Sequence, residues 1–249
     1  MLRVERDGAT ALFVIGRPEV KNALDEKPLR ALGAAAIAAG ADDSVRAVVI
    51  AGEGDAFCAG GDLPELRTRG SARDAEALTD LGADVMSRIA SLPTLVVAAI
   101  QGVAFGGGAE LAVACDVRVV SARAKISFKQ ARMGATTAWG STERLIRIVG
   151  HGAASLLLLT GIEIGADRAI ELGLAEVRAE NALAGARQIA REAAACGPRA
   201  ARELKALLLA GGVRATEREA FVRTWSSDEH AEAVAAYFEK RPPAWSRGT

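Results

Sequence analysis

The residues with the clearest chemical potential lie between positions 95 and 116. An apolar run with several β-branched residues, 95–100 (LVVAAI), precedes three glycines at 106–108 and then an apolar, helix-favouring run. This order predicts a buried strand that turns through glycine into a helix. The first backbone N–H groups of such a helix have no partner and suit an anion or a developing oxyanion. Glu110 lies inside the first turn, where its carboxylate can reach the same ligand.

A second loop of small residues follows another apolar strand candidate, residues 45–51. It reads FCAGGDL at positions 57–63. Glycine lets a ligand approach the backbone closely, because no side chain is in the way. Each loop alone has an ordinary alternative, a glycine turn with a solvated acidic residue. Two such loops after buried strands favour a paired backbone site. Asp62 is either the N-cap of a following helix or a ligand contact.

Composition excludes several classes of function. Of the 249 residues, 31 are basic and 31 acidic, and only 4% are aromatic. This balance lacks the basic surface and the stacking platforms of a nucleic-acid-binding protein. No apolar run reaches the ~18 residues of a membrane span, and the N-terminus lacks the apolar core of a signal peptide. We therefore expect neither a nucleic-acid nor a membrane partner.

The cysteines and histidines form no pattern of metal ligands. Cys58, Cys115 and Cys196 are widely spaced, and His151 and His230 are isolated. Buried free thiols and a reducing cytoplasm are expected, with no metal site.

Strand and helix patterns alternate in the first part of the chain, and helical patterns dominate after Ser141. Asp25 is a candidate N-cap for a helix that runs to about Ala39. Further strands are predicted at 11–15, 117–121 and 126–128, and helices at 72–90, 215–226 and 228–240. The order predicts an α/β core with a helical appendage.

Four segments resemble motifs of the crotonase (enoyl-CoA hydratase/isomerase) superfamily. Residues 57–63 resemble F-[CS]-A-G-[AG]-D-[LI], and residues 102–111 (GVAFGGGAEL) resemble G-x-A-x-G-G-G-x-E-L. Residues 17–24 (RPEVKNAL) are similar to R-P-x-x-x-N-A-L, and residues 237–241 (YFEKR) to a terminal F-x-E-K-R. The four occur in the family's order over almost the whole chain, which is identified as a member of this superfamily.

The resemblance implies an α/β fold in two parts. Residues 1–195 would form a spiral of ββα units, and residues 196–249 a helical region for assembly into a homotrimer or a hexamer (a dimer of trimers). The substrate would be an acyl-CoA thioester, so that coenzyme A is part of the substrate and no separate cofactor is needed. The N–H groups of Gly61 and Gly107 would form an oxyanion hole for the thioester oxygen as it becomes an enolate, with Glu110 transferring a proton.

The resemblance also implies contacts with coenzyme A. Val20, Lys21 and Ala23 would lie beside coenzyme A. Further substrate or coenzyme A contacts would come from Ala59, Asp62 and Leu63. Tyr237 and Lys240 would reach the adenine end, in the same or a neighbouring subunit. The alternative for these two residues is a solvated terminal helix. Arg17 and Lys21 are either a basic lip for phosphates or ordinary surface charges.

The chain departs from the hydratase pattern at the second catalytic glutamate. That glutamate belongs to F-x-x-P-E-x-x-L-G, and here residues 126–134 read ISFKQARMG. Counting back from Gly134 places Gln130 at the glutamate's position. Glutamine can orient a water molecule but cannot transfer a proton. Loss of a positioned acid or base typically costs ~10²–10⁴ in rate.

Residues 134–140 (GATTAWG) also depart from the hydratase pattern, G-x-x-P-G-x-G-G. They look more like ethylmalonyl-CoA decarboxylase-like members of the superfamily. In that interpretation the hydroxyls of Thr136 and Thr137 and the indole N–H of Trp139 hold a substrate carboxylate. The alternative is a loop capped by its own hydroxyls before the helix at Ser141.

Four functions therefore stay open at this stage. The first is an enoyl-CoA hydratase/isomerase-family lyase that uses Glu110, with Gln130 placing the water. The second is a decarboxylase of malonyl-type thioesters. The third is an isomerase, since a single base can shift a double bond, and the fourth is a CoA-binding protein without catalysis.

Overall fold

The computed structural model describes residues 1–67 and 70–246, and its strands form two sheets. In these ranges the strands are β1 (Leu2–Asp7), β2 (Thr10–Ile15), β3 (Ala47–Gly52), β4 (Leu95–Ile100), β5 (Val103–Phe105), β6 (Val117–Val120), β7 (Lys125–Ser127), β8 (Ile164–Gly165) and β9 (Val177–Arg178). The larger sheet has the order β1-β2-β3-β4-β6-β9, and the smaller has the order β5-β7-β8. Only the β1–β2 and β7–β8 pairs are antiparallel.

Helices follow most of the strands. They are α1 (Glu26–Ala41), α2 (Leu63–Arg67), α3 (Ala72–Ala90), α4 (Gly107–Ala114), α5 (Ser141–Thr160), α6 (Ala166–Glu171), α7 (Ala182–Ala195), α8 (Pro198–Leu209), α9 (Arg214–Trp225) and α10 (Asp228–Phe238). The Asp25 side chain accepts a 2.9 Å hydrogen bond from the N–H of Lys27, which confirms it as the N-cap of α1. The predicted helix at 72–90 coincides with α3.

The central strands are apolar along their whole length because both faces of the larger sheet are covered. Phe13, Ile50 and Ile100 face the cluster that contains residues of α1, α3 and α4. Leu12, Val49 and Val97 face the opposite cluster, to which α7 contributes Ala182, Ala186 and Ala190. The period-2 alternation of a strand explains this division.

Strand β1 was not predicted, because its sequence, LRVERD, is mostly charged. It is an edge strand whose residues are exposed after the first, and it pairs with β2 in antiparallel register. Charged residues are common on edge strands, since they discourage pairing with other chains. Strands β8 and β9 have two residues each and interrupt the region that the sequence predicted as mostly helical.

Parallel pairing of β3 and β4 places their carboxyl ends at the same edge of the sheet. The two glycine-containing loops follow these ends and pack on each other. The N–H of Phe105 donates a 3.0 Å hydrogen bond to the carbonyl oxygen of Cys58, and the N–H of Cys58 donates one of 3.0 Å to Val103. The loops thus form one continuous backbone structure.

Helices α8 to α10 form the last part of the described chain, and residues 247–249 lie outside it. The ammonium of Lys205 on α8, 6% exposed, pairs with the carboxylate of Asp116, which follows α4. Large apolar side chains remain exposed on these three helices: Leu204, Leu208, Phe221, Trp225, Tyr237 and Phe238. Among the described helices, none has both the length and the apolar character to span a membrane.

Candidate active site

Two backbone amides in the adjoining glycine loops have no hydrogen-bond partner among the residues that the structure describes. The neighbouring N–H groups are engaged: that of Gly60 with Sγ of Cys58 at 3.4 Å, and that of Gly106 with the carbonyl of Ser127 at 2.9 Å. Within residues 1–67 and 70–246, the N–H groups of Gly61 and Gly107 donate to no protein atom. A Cβ at Gly60 would lie 3.1 Å from the nitrogen of Gly107, which shows how closely the loops approach. Both amides are therefore available to a ligand.

Glu110 lies one turn into α4 and is buried, with 3% of its surface exposed. Its carboxylate accepts three hydrogen bonds, from Nε2 of Gln130 at 2.7 Å, from the N–H of Trp139 at 2.9 Å and from Oγ of Ser141 at 2.7 Å. Buried carboxylates are stable only with such partners. The three donors come from residues that follow β7, so the loop between β7 and α5 holds Glu110 in one orientation.

Gln130 begins a 3₁₀ turn, Gln130–Met133, that follows β7. The structure thus brings together Glu110 and the residue that sequence counting placed at the second glutamate position. Because Nε2 donates to Glu110, the orientation of the amide is determined, and the other atom, Oε1, is buried with no hydrogen-bond partner in the described chain. An unpaired buried acceptor costs about 1–3 kcal/mol. A ligand that donates a hydrogen bond to this oxygen would remove that cost.

Ser141 and Arg144 belong to the site and were missed in the sequence. Ser141 is the first residue of α5 and is fully buried. Arg144, one turn later, donates a 2.8 Å hydrogen bond to the carbonyl of Trp139. Burial lowers the pKa of the Arg144 guanidinium, and the charges of Glu143 and Glu110 oppose that shift. The sequence offered one indication of this role, a serine at the start of a helix after Gly140. Serine is common at helix starts, so this pattern does not distinguish a site residue from an ordinary one.

Residues 136–139 contact their own loop and the neighbouring helices, and the binding of a substrate carboxylate by them stays a prediction. Oγ1 of Thr137 lies 2.6 Å from Oγ1 of Thr142 in the first turn of α5, and Thr136 is exposed. The indole nitrogen of Trp139 packs against Gly82 of α3. The structure therefore favours the alternative of a loop that hydrogen-bonds to its own helix.

Arg17 is not a basic lip for phosphates, because its guanidinium turns inward. It lies 2.9 Å from a carboxylate oxygen of Asp25 and 2.9 Å from one of Asp62, and it donates to the carbonyl of Ala23 at 3.0 Å. The other oxygen of Asp62 accepts from the N–H of Glu65 at 3.4 Å, in the first turn of α2. The side chain of Asp62 is thereby occupied within the protein, which favours the capping alternative over a ligand contact.

Asn22 holds the 17–24 segment against the loop after β3. It is fully buried, with positive φ (59°). Its Nδ2 donates to the carbonyls of Glu53 at 2.9 Å and Ala56 at 2.8 Å, while its Oδ1 accepts from the N–H of Arg17 at 2.9 Å. The asparagine of the motif thus has a structural role that the sequence did not reveal.

The other residues expected to contact coenzyme A surround this segment. The N–H of Ala59 donates to the carbonyl of Lys21 at 2.9 Å, which joins the two loops. Lys21 is exposed, Ala23 is buried, Val20 is partly buried, and Leu63 is 61% exposed at the start of α2. Their contacts with coenzyme A stay a prediction.

Tyr237 and Lys240 lie at the end of α10, where Tyr237 is 80% exposed. No hydrogen bond among the described residues links them to the glycine loops, and the N–H of Lys240 donates to the carbonyl of Tyr237 at 3.2 Å. Their role at the adenine end also stays a prediction.

Comparison with known proteins decides the family. The family described as "Enoyl-CoA hydratase/isomerase" matches residues 5–248. The chain belongs to this enoyl-CoA hydratase/isomerase family. The resemblance to the crotonase superfamily and the predicted α/β fold are thereby confirmed.

Relatives in this family are similar along their whole length. A short-chain-enoyl-CoA hydratase of Clostridium acetobutylicum is 32% identical over 247 residues, covering 96% of this chain and 94% of the relative. A crotonyl-CoA hydratase of Syntrophomonas wolfei is 34% identical, covering 96% and 95%. The crystal structure of an enoyl-CoA hydratase from Polaromonas sp. JS666 superposes with a TM-score of 0.91 at 32% identity, covering 97% of this chain and 98% of that one. The resemblance to decarboxylase-like members finds no support in these comparisons.

Proposed function

We propose that this family member adds water to the double bond of a 2-enoyl-CoA thioester. One observation carries the proposal: a buried carboxylate, that of Glu110, lies three residues after Gly107, whose amide is unpaired. A carboxylate for proton transfer and a backbone donor for a carbonyl oxygen are the two groups that such an addition needs. The hydratase names of the relatives point to the same reaction.

The N–H groups of Gly61 and Gly107 bind the thioester oxygen. When water adds to C3, negative charge moves onto that oxygen, and two fixed amides stabilise the enolate without reorganisation. One such donor is typically worth about 3–4 kcal/mol of transition-state stabilisation.

Glu110 transfers the proton in both halves of the addition. It accepts a proton from water as the water oxygen forms its bond to C3. It then delivers a proton to C2 of the enolate, which restores the thioester carbonyl. One carboxylate is sufficient, because it is regenerated in its starting form. Oε1 of Gln130, the unpaired acceptor, holds the attacking water by its second hydrogen.

Isomerisation of a 3-enoyl to a 2-enoyl thioester is a second candidate. Gln130 at the position of the second glutamate favours it, since double-bond migration needs one base and no water. Glu110 would remove a proton from C2, which gives a dienolate held by the same two amides, and return the proton to C4.

Coenzyme A would lie along Val20, Lys21, Ala23, Ala59 and Leu63, with Tyr237 and Lys240 at its adenine end. The exposed apolar side chains of α8 to α10 would be covered by neighbouring subunits in a homotrimer or a hexamer, since large exposed apolar patches mark interaction sites. Light scattering of the purified protein distinguishes these assemblies from a monomer.

Incubation with crotonyl-CoA tests the reaction. Hydration removes the ultraviolet absorbance of the conjugated enoyl thioester and yields 3-hydroxybutyryl-CoA by mass spectrometry. A 3-enoyl-CoA would gain that absorbance if the protein isomerises it. Glu110→Gln should lower either rate by about 10²–10⁴-fold, as expected for loss of a positioned acid/base. No turnover of either substrate, or unchanged turnover in Glu110→Gln, would refute the proposal.

A further inference from the structure

The indole of Trp139 lies between α3 and α4, and on each helix the residue that it packs against is a glycine. A Cβ at Gly82 of α3 would be 2.0 Å from the indole nitrogen, and a Cβ at Gly107 of α4 would be 2.5 Å from Cζ3. Neither distance is possible for real atoms. The ring therefore occupies space that exists only because both residues lack a side chain.

Neither glycine is required by the conformation of its backbone. Both lie within helices, and neither is among the residues with positive φ. Glycine in a helix costs about 0.5–1 kcal/mol relative to alanine. At Gly82 the contact with the ring accounts for the glycine. At Gly107 this contact adds to the close ligand approach that glycine allows.

Two hydrogen bonds of the Trp139 backbone, one from its N–H and one to its carbonyl, determine the position of the ring. The N–H of Trp139 donates to Oε2 of Glu110 at 2.9 Å, and its carbonyl accepts from Nη1 of Arg144 at 2.8 Å. The residue is 5% exposed. The ring is thus part of the packed interior beside the reacting groups.

This position has a consequence for the acyl group, which rests on the proposed function. The thioester carbonyl binds at the amide of Gly107, and C2 and C3 lie beside the carboxylate of Glu110. The next carbons of the acyl chain meet the indole ring of Trp139. This ring packs against Gly107, and the backbone N–H of Trp139 donates a hydrogen bond to Glu110. We propose that Trp139 is a specificity-determining residue that closes the acyl pocket and restricts the enzyme to short acyl groups.

Binding of saturated acyl-CoAs tests the pocket independently of the reaction. Butyryl-CoA, hexanoyl-CoA and octanoyl-CoA have no double bond to hydrate, and calorimetry measures their affinities. The wild type should bind octanoyl-CoA at least tenfold more weakly than butyryl-CoA. Trp139→Ala should change this affinity ratio by at least tenfold in favour of octanoyl-CoA. The ratio of kcat/KM for the matching 2-enoyl-CoAs should move in the same direction.

Two further variants make the test independent of the folding of Trp139→Ala. Gly82→Ala places a methyl group where the indole lies, so it should displace the ring and weaken butyryl-CoA binding. The double variant Gly82→Ala, Trp139→Ala should recover butyryl-CoA binding, because no ring remains to be displaced. Trp245→Ala, which removes an indole from residues 244–246 near the end of the described chain, should leave the ratio unchanged.

The outcomes separate this proposal from the proposed function. Equal affinity of the wild type for butyryl-CoA and octanoyl-CoA, or an unchanged ratio in Trp139→Ala and Gly82→Ala, would overturn the role of Trp139 even if crotonyl-CoA is hydrated. A shifted affinity ratio without turnover of any enoyl-CoA would support the role of Trp139 and refute hydration.

Discussion

Nε2 of Gln130 donates a 2.7 Å hydrogen bond to Oε1 of Glu110. An amide therefore faces the carboxylate of the proposed catalytic residue, at the place where hydratases of the family are expected to have a second carboxylate. The bond orients Glu110 and leaves Oε1 of Gln130 buried and unpaired within the described chain. The site thus has one group that can transfer a proton and one that can only hold a water.

Gln130→Glu should raise the hydration rate of crotonyl-CoA at least tenfold, because it supplies a second acid. Two facing carboxylates retain one proton between them, since like charges at this distance disfavour double ionisation. Activity of the variant should therefore fall at high pH, where the shared proton is lost. Steady-state kinetics across pH measures both effects.

Gln130→Ala is the control for this substitution, as it removes the amide and adds no acid. Its rate should fall below that of the wild type. If Gln130→Glu is no faster than the wild type, the absent acid is not what limits hydration.

Ser141→Ala should lower kcat about tenfold and change KM little. It removes one of the three hydrogen bonds that orient Glu110, and hydrogen bonds to charged groups contribute about 1.5–3 kcal/mol. Thr142→Ala is the matched control, because its hydroxyl contacts Thr137 and not Glu110. Equal effects of the two substitutions on kcat would show that Ser141 only supports the start of α5.

Gly108→Ala should destabilise the protein by at least about 1–3 kcal/mol, the usual cost of overpacking. A Cβ there would lie 2.1 Å from the carbonyl oxygen of Cys58, and a backbone atom cannot move aside as a side chain can. Gly152→Ala in α5 is the contrasting variant, with no atom within 4 Å of its Cβ position. It should be neutral or stabilising, and urea denaturation compares the two free energies of unfolding.

Asn22→Gly should cost about 2–4 kcal/mol, since it removes one buried and two partly buried hydrogen bonds of about 1 kcal/mol each and leaves partners unpaired. Asn22→Ala should cost about 1–2 kcal/mol more, because a φ of 59° is unfavourable for alanine and not for glycine. Thermal denaturation of the two variants separates the hydrogen bonds from the backbone conformation. Equal stability of Asn22→Gly and the wild type would contradict the structural role.

Only Cys196 should react with a thiol reagent such as Ellman's reagent in the native protein. Burial raises the pKa of the Cys58 and Cys115 thiols to about 12, so both stay protonated and unreactive at pH 8. Cys196 is exposed. The reagent should count one thiol before denaturation and three after it. Rapid reaction of two or more native thiols would contradict the burial of Cys58 and Cys115.

The sequence was sufficient for the parts of the molecule that depend on local patterns. The apolar runs of β3 and β4 predicted buried strands, Asp25 predicted the start of α1, and the spacing of apolar residues predicted α3, because period and capping are properties of adjacent residues. The same holds for the two glycine loops, whose positions after buried strands favoured a paired backbone site. Edge strand β1 escaped prediction, since its residues are charged and its pairing with β2 is all that makes it a strand.

Only the tertiary structure decided how the site is assembled. Arg17 has the sequence context of a surface cation, yet its charge is directed at Asp62, 45 positions away. Ser141 and Trp139 surround Glu110 although about 30 residues separate them from it. The position of the Trp139 indole depends on Gly82 and Gly107, which lie in two different helices. Such contacts join residues that are distant along the chain, and no local pattern of residue types encodes the distance between them.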